Sequence, residues 1–296
     1  MFKLHRKTKS EALFDLINTI GMLLICFVTL YPIWYVLVNA FNNGTDAMSG
    51  GIYWWPRMFS FENFEAVFDS PGIMTAMGIT VAKTLIGTVA HVFFTAMVAY
   101  ALSRRGLIGG KLYILIGTVT LFFAGGLIPS FLLMKDLHLL DNFLVYIIPF
   151  MFSFFDLIIF MTFFREIPEG LEEAARIDGA NDWSIFLRIV LPVSMPVLAT
   201  IALFHGVFQW NDYFTGMIYI NNTDLQPIQT YLYRVVAQSS SSQMIAAVQG
   251  SSGTKTVTSQ SIKLATMVVT TLPIVFVYPF LQKYFVKGMM IGSIKG

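Results

Sequence analysis

Six stretches of the chain, near residues 13–38, 74–103, 112–134, 142–164, 192–215 and 264–285, are predominantly apolar over lengths that fit a membrane-crossing helix. At a rise of about 1.5 Å per residue, roughly 20 apolar positions cross about 30 Å of hydrocarbon. The pattern therefore predicts an all-α polytopic membrane protein with six transmembrane helices. The first stretch follows a basic start (Lys3, Arg6, Lys7, Lys9) but is too long for a signal peptide and lacks a small-residue cleavage site, so it reads as a retained helix. Residues 13–285 form the predicted membrane domain, between an N-terminal tail (1–12) and a C-terminal tail (286–296).

Orientation follows from the basic residues between the spans, because lysine and arginine resist translocation. With the N-terminus inside, the inner segments hold thirteen (Lys3, Arg6, Lys7, Lys9, Arg104, Arg105, Lys111, Arg165, Arg176, Arg188, Lys283, Lys287, Lys295) and the outer ones five (Arg57, Lys135, Arg234, Lys255, Lys263). Both termini are thus expected in the cytoplasm, with the chain multi-pass in the membrane. Two outer connections are long. The one at 39–73 carries "GIYWWPRMFSFENF", whose tryptophans and tyrosine suit the headgroup boundary. The one at 216–263 contains "QSSSSQMIAAVQGSSGTKTVTSQS", too poor in apolar residues to fold alone and readable either as a docking element or as a plain loop.

The polar positions break this pattern most sharply at 171–192, between spans four and five. Glu172 to Ile177 are mostly good helix formers, Gly179 predicts a bend, and Asn181 is suited to cap a second helix whose positive end Asp182 would face. Trp183, Phe186, Leu187 and Val190 recur at helical spacing, and Pro192 and Pro196 fit the first turn of the next span. The segment reads as helix, bend, helix. On residue chemistry alone it is either a knob for a partner's groove or an ordinary amphipathic interfacial helix.

Composition narrows the function. The 296 residues are 56% hydrophobic and only 12% charged, and a net charge of +2 without a basic stripe gives no nucleic-acid footprint. The lone Cys26 excludes an intramolecular disulfide and reads as a buried or lipid-facing side chain. His5, His91, His138 and His205 are scattered with no carboxylate or thiol at ligand spacing, so no metal site is expected. Convergent acid and base groups are missing, so no catalytic residue and no enzyme activity are expected. No internal repeat is visible, as many secondary transporters would show, although an ion-gradient-driven transporter of a polar solute stays as the alternative. Inside the spans, Lys83 is the clearest costly charge, with His91 roughly on the same side of its helix; a cargo contact, a snorkelling lysine and a packing histidine are the readings. "FQWNDYF" places Trp210, Asn211, Asp212 and Tyr213 at the outer end of span five, as a sugar passage or an interfacial belt.

The segment at 173–192 resembles the cytoplasmic signature of binding-protein-dependent ABC importer permeases: E-A-A, three residues, G, nine residues, I, one residue, L-P. Here it is Glu173-Ala174-Ala175, Gly179, Ile189 and Leu191-Pro192. "IYWWPRMFSFENFEAVF" is similar to the outer loop of the carbohydrate-importing, maltose-type branch. The ending "YPFLQKYFVKGMMIGSIKG" is similar to a branch serving complex oligosaccharides and polysaccharide fragments, some uronate-containing. The resemblance implies that 171–192, Asp178 included, is a coupling helix docking on an ATPase. It also implies that the tail, with Gly292, Lys295 and Gly296, contacts those subunits. The implied partners are a second homologous permease in a heterodimer, two nucleotide-binding subunits, an extracytoplasmic solute-binding protein and an oligosaccharide. "GLIGGKL" lacks the spacing of a G-x-x-x-x-G-K-[ST] phosphate cradle, so ATP and Mg are expected on the partner ATPase and no cofactor in this chain.

Overall fold

A computed structural model describes residues 8–104, 106–123, 125–249 and 257–293. Apart from one isolated bridge between Asn42 and Phe59, the regular structure among the described residues is helical. In chain order the α-helices are α1 Lys9–Ala40, α2 Gly44–Met48, α3 Glu62–Phe68, α4 Ile73–Ser103, α5 Gly110–Phe122, α6 Leu127–Asp136, α7 Phe154–Arg165, α8 Glu169–Ile177, α9 Asp182–Ile185, α10 Leu191–Val193, α11 Met195–Asn211, α12 Phe214–Tyr219, α13 Ile228–Gln249 and α14 Ser259–Ser293. Among the described residues, three helices are long and apolar enough to cross a membrane, or up to six where each bent pair is counted as one span.

Three of the six expected spans are therefore not single helices. The third is interrupted before Leu127, where Gly126 adopts φ +86°, a conformation that glycine takes without steric cost. The fourth begins as two short 3₁₀ turns, Phe143–Tyr146 and Ile148–Phe150, and bends by 49° into α7, which Ser153 caps by accepting from Asp156 N–H. The fifth starts at Met195 rather than 192, bent by 80° from the preceding Asp182–Val193 segment. Pro192 and Pro196 each stand in a first helical turn, where a missing N–H costs nothing.

The chain divides into two compact units, Met1–Ser70 with Val235–Val269, and Pro71–Arg234 with Thr270–Gly296. In the first, α1 opens on a capping box in which Thr8 and Glu11 satisfy each other's backbone N–H. From Leu13 to Leu30 its apolar side chains, Cys26 included, are left exposed by this chain, whereas Val38 and Ala40 at its end are buried. The outer connection folds back on α1: Asn63 Nδ2 donates to the carbonyls of Ala40 (2.8 Å) and Asn42 (2.7 Å), and Trp34 Nε1 to that of Trp54 (2.9 Å). Trp54 thereby rests on Phe27 and Tyr31.

In the second unit α4 packs along both α7 and α11. Small residues on α4 (Ala96, Ala99) let Leu157 and Phe160 of α7 and Ile201 of α11 close a dry core, which Ile185, Phe186 and Val190 extend. The first part of the serine-rich stretch is helical, because α13 runs on to Gln249, and residues 250–256 lie outside the described residues. Once "YLYRVVA" has paid for nucleation, propagation through serines costs only tenths of a kcal/mol per residue. The tail is also helical as far as Ser293, and Gly292 lies within that helix, whereas Lys295 and Gly296 lie outside the described residues.

Candidate functional site

The charged elbow is built by local chemistry. α8 ends where Gly179 takes φ +81°, and the Asn181 side chain accepts from Ser184 N–H (2.8 Å) to start α9. Five residues of π-helix, Phe186–Val190, then turn the chain into Leu191 and Pro192. Ala175, Ile189 and Leu191 pack against the core of their own chain, while Glu173, Ala174, Asp178, Gly179 and Pro192 stay exposed. Of the two neighbouring alanines, Ala174 is exposed and Ala175 half-buried. Ile177 is 86% exposed, an apolar side chain held out among charges.

An ionic cluster not legible from spacing holds the elbow to the end of α4. Arg104 pairs with Glu172, lies 3.9 Å from Asp182 Oδ1, and stacks its guanidinium 4.1 Å from the Tyr100 ring centroid. Arg176 reaches the same Asp182 oxygen at 2.6 Å. Partial burial pushes the Glu172 carboxyl up, opposed by Arg176 and reinforced by Asp182, and the Arg104 guanidinium down, opposed by Asp182 and reinforced by Arg176. Even so lowered, arginine stays a cation.

The second polar assembly is dry. Lys83 is fully buried; its ammonium donates to the Asp212 carbonyl (2.9 Å) and Oδ2 (3.2 Å) and lies 4.8 Å from the Tyr146 ring centroid. His91, two turns along α4, donates from Nδ1 to the Phe150 carbonyl (2.7 Å) and places Nε2 2.9 Å from Asp156 Oδ2. Its ring stacks on His205 at 3.8 Å. Gln209 Nε2, 3.4 Å from His205 Nε2, donates to the Tyr146 carbonyl (2.9 Å). A chain of polar groups thus runs Asp156, His91, His205, Gln209, Tyr146, Lys83, Asp212, joining α7, α4 and α11.

This assembly revises one sequence expectation. His91 and His205 are not scattered: they meet beside a carboxylate, 114 positions apart in sequence. Among the described residues, however, no group of three or more His, Cys, Asp or Glu is placed to hold a metal ion. Lys83 is paired with Asp212 within this chain. Trp210 donates Nε1 to the Thr270 carbonyl (3.2 Å), so its polar edge is spent within the chain. It lines an apolar groove of about 310 Å³ with Val81, Leu85, Val207 and Ile274. Asn211 donates back to the Val207 carbonyl (2.9 Å), and Tyr213, partly exposed, stacks on Tyr233 at 5.2 Å.

Residues 2–291 match the family described as the binding-protein-dependent transport system inner membrane component. The chain belongs to that family. It is a membrane-embedded permease component of ABC importers, not an enzyme. The permease is 38% identical to Protein LplC of Bacillus subtilis over 299 residues, covering 100% of both chains. It is 39% identical over 284 residues to the polygalacturonan/rhamnogalacturonan transport system permease protein YtcP of the same organism, covering 96% of this chain and 99% of that one. A chain from the crystal structure of a bacterial ABC transporter involved in the import of the acidic polysaccharide alginate superposes with a TM-score of 0.87. That chain is 30% identical, with 95% of this chain and 99% of that chain covered.

Proposed function

We propose that this permease is one transmembrane half of an ATP-driven importer of oligosaccharides or polysaccharide fragments, uronate-containing ones included. Its other half is a homologous permease, two separate subunits bind ATP and Mg and hydrolyse the nucleotide, and an extracytoplasmic solute-binding protein delivers the sugar. The exposed side of the elbow carries the reading: Glu173, Ala174 and Asp178 beside the solvent-facing Ile177, on a bent segment locked by Gly179 and Asn181. A partly charged face with one protruding apolar side chain suits a protein cleft, where an apolar anchor supplies affinity and the charged rim supplies register. The preponderance of basic residues in the inner segments supports a cytoplasmic elbow and cytoplasmic termini.

ATP-driven closure of the motor pair would move two such elbows and alternate the cavity between outward and inward access, each ligand shifting the equilibrium by its differential affinity for the two states. For the cargo, support comes from the acidic polysaccharides named for YtcP and for the alginate transporter. Among the path candidates, Tyr213 with its stacked neighbour Tyr233 keeps an exposed aromatic surface of the kind that sugar rings pack on.

The test is reconstitution. Glu173→Ala and Gly179→Ala are expected to weaken co-purification of the ATPase subunits while the solute-binding protein still captures sugar. Unchanged co-purification in both, or uptake that persists without the ATPase on an ion gradient, would reject the reading.

A further inference from the structure

We infer that Arg104 is the positioning residue through which movement of the elbow reaches α4; this rests on the elbow being the docking point for an ATPase. Arg104 stands at the end of α4, immediately after Ser103, and its guanidinium carbon lies over the ring of Tyr100, which is buried against Phe186. The cation is thus fixed to α4. From there it meets a carboxylate from each arm of the elbow, Glu172 on α8 and Asp182 on α9, while Arg176 of α8 shares Asp182.

The two arms are tied to α4 by different means. α9 and the residues after it touch α4 through rings, Phe93 against Trp183 and Tyr100 against Phe186. α8 carries no aromatic side chain, and among the described residues the Arg104–Glu172 pair ties it by charge to the end of α4. Glu172 and Arg104 are the shielded members of the cluster, with side chains 17% and 28% exposed, whereas Asp182 is 69% exposed. The cluster borders a polar cleft of about 610 Å³ lined by Arg165, Glu169 and Glu173, so water reaches its edge. Ion pairs in such a setting add little to static stability. Their value here is directional: a planar cation stacked on one helix and paired with another passes on a displacement that a sliding apolar contact would absorb.

The experiment uses the full complex in liposomes with its solute-binding protein and sugar. For Arg104→Gln the ATPase subunits are expected to co-purify as in wild type, while stimulation of ATP hydrolysis by the sugar-loaded binding protein falls by at least about fivefold, the lower end of ordinary coupling between sites. Loss of co-purification would be a failure of docking and would overturn the inference; stimulation retained at the wild-type level would also overturn it. Restoring the tie without the charge separates transmission from local folding. In a Cys26→Ala background, Arg104→Cys with Glu172→Cys, bridged by a short reducible bis-thiol reagent, is expected to regain stimulation when bridged and lose it on reduction in the same sample. No recovery on bridging would reject the transmission role. If the wild-type permease itself fails to hold the ATPase, the proposed function falls, independently of any Arg104 result.

Discussion

Replacing Asp212 by asparagine is the most severe single test of the buried polar chain. The Lys83 ammonium is fully buried; Asp212 Oδ2 sits 3.2 Å from it while Oδ1 accepts from Thr215 N–H (3.1 Å). In Asp212→Asn the remaining carbonyl oxygen can serve only one of these partners. Keeping the Thr215 bond turns the amide NH₂ toward the ammonium, donor against donor; turning it the other way faces the NH₂ to the Thr215 N–H. Only the backbone carbonyl of Asp212 still accepts from Lys83. Breaking a buried pair from one side costs about 3–5 kcal/mol, because the surviving charge has lost its counter-ion and gained no water. At about 2 °C per kcal/mol for a chain of this size, the unfolding midpoint should fall by roughly 6–10 °C. The assay is thermal unfolding of the detergent-solubilised permease followed by tryptophan fluorescence, for Asp212→Asn, Lys83→Met and the double variant. Removing both charges should be milder than Asp212→Asn alone, since methionine fills much of the lysine stem's volume and leaves no buried charge. A double variant at least as destabilised as Asp212→Asn would refute the argument, because the cost would then be one of shape and not of an unpaired cation.

Three further outcomes are expected. Gly87 lies where an added Cβ would stand 2.8 Å from Gln209 Nε2 and 3.2 Å from its Cδ, so Gly87→Ala should lower stability by about 1–3 kcal/mol; Gly78→Ala on the same helix, with nothing within 4 Å, should be neutral or mildly stabilising, and equal midpoints for the two would be the contrary result. At Gly179 nothing lies within 4 Å of an added Cβ but φ is +81°, so alanine should cost about 1–2 kcal/mol through backbone strain alone and asparagine, which tolerates this region, less; an order of alanine milder than asparagine in thermal midpoint would contradict it. Asp141 accepts from the backbone N–H groups of Asn222 (2.9 Å) and Asn221, which hold its carboxyl below the usual range. A lowered pKa means that this clasp is at full strength above the ordinary value of about 3.9 and is lost as pH falls through the lower folded value; hydrogen exchange at Asn221 and Asn222 should therefore accelerate only in acid, and Asp141→Asn should abolish that dependence.

What the sequence disclosed was whatever depends on neighbours a few positions apart. Gly179 and Asn181 could be read directly, because a positive φ and an N-cap are properties of one residue and its next three. Six apolar runs were visible for the same reason. Their breaks were half visible: glycines at 125–126 and Pro149 are in plain sight, but apolar content alone does not say whether a glycine is absorbed in a helix, as Gly78 and Gly87 are, or ends it, as Gly126 does. The polar chain was invisible as a chain. Lys83 stood out as a costly charge within a span and Asp212 as a polar group at the outer end of another, yet they lie 129 positions apart, and nothing local distinguishes two groups that answer each other from two that face a passage. Asp156, His205 and Gln209 gave no signal at all, since each looks like an isolated polar residue until α4, α7 and α11 are brought side by side. The same holds for Arg104, whose partners lie 68 and 78 positions away.

The two polar assemblies at different levels of α4 show how one chemistry serves two purposes according to its solvent. Lys83 with Asp212 is dry, and a dry pair that loses a partner is penalised heavily, so each conformation the permease visits must keep that pair or supply equivalent groups. Arg104 with Glu172 and Asp182 borders a watery cleft, and a wet pair can lengthen or change partner at small cost because water takes up the vacated hydrogen bonds. Between them lie 21 residues of α4, about 32 Å of helix at 1.5 Å per residue. Displacement entering at the Arg104 end therefore meets a helix that is held firmly by charge near its other end. Tilting α4 about the Lys83 level preserves the Lys83–Asp212 contact and moves His91 less than the Arg104 end, whereas sliding it along its axis would pull Lys83 away from Asp212 and His91 away from Asp156 by the full displacement. The energetic ordering thus favours rotation over translation for this helix, and it makes the Arg104 cluster, rather than the better-satisfied interior chain, the place where a small perturbation alters coupling without unfolding the protein.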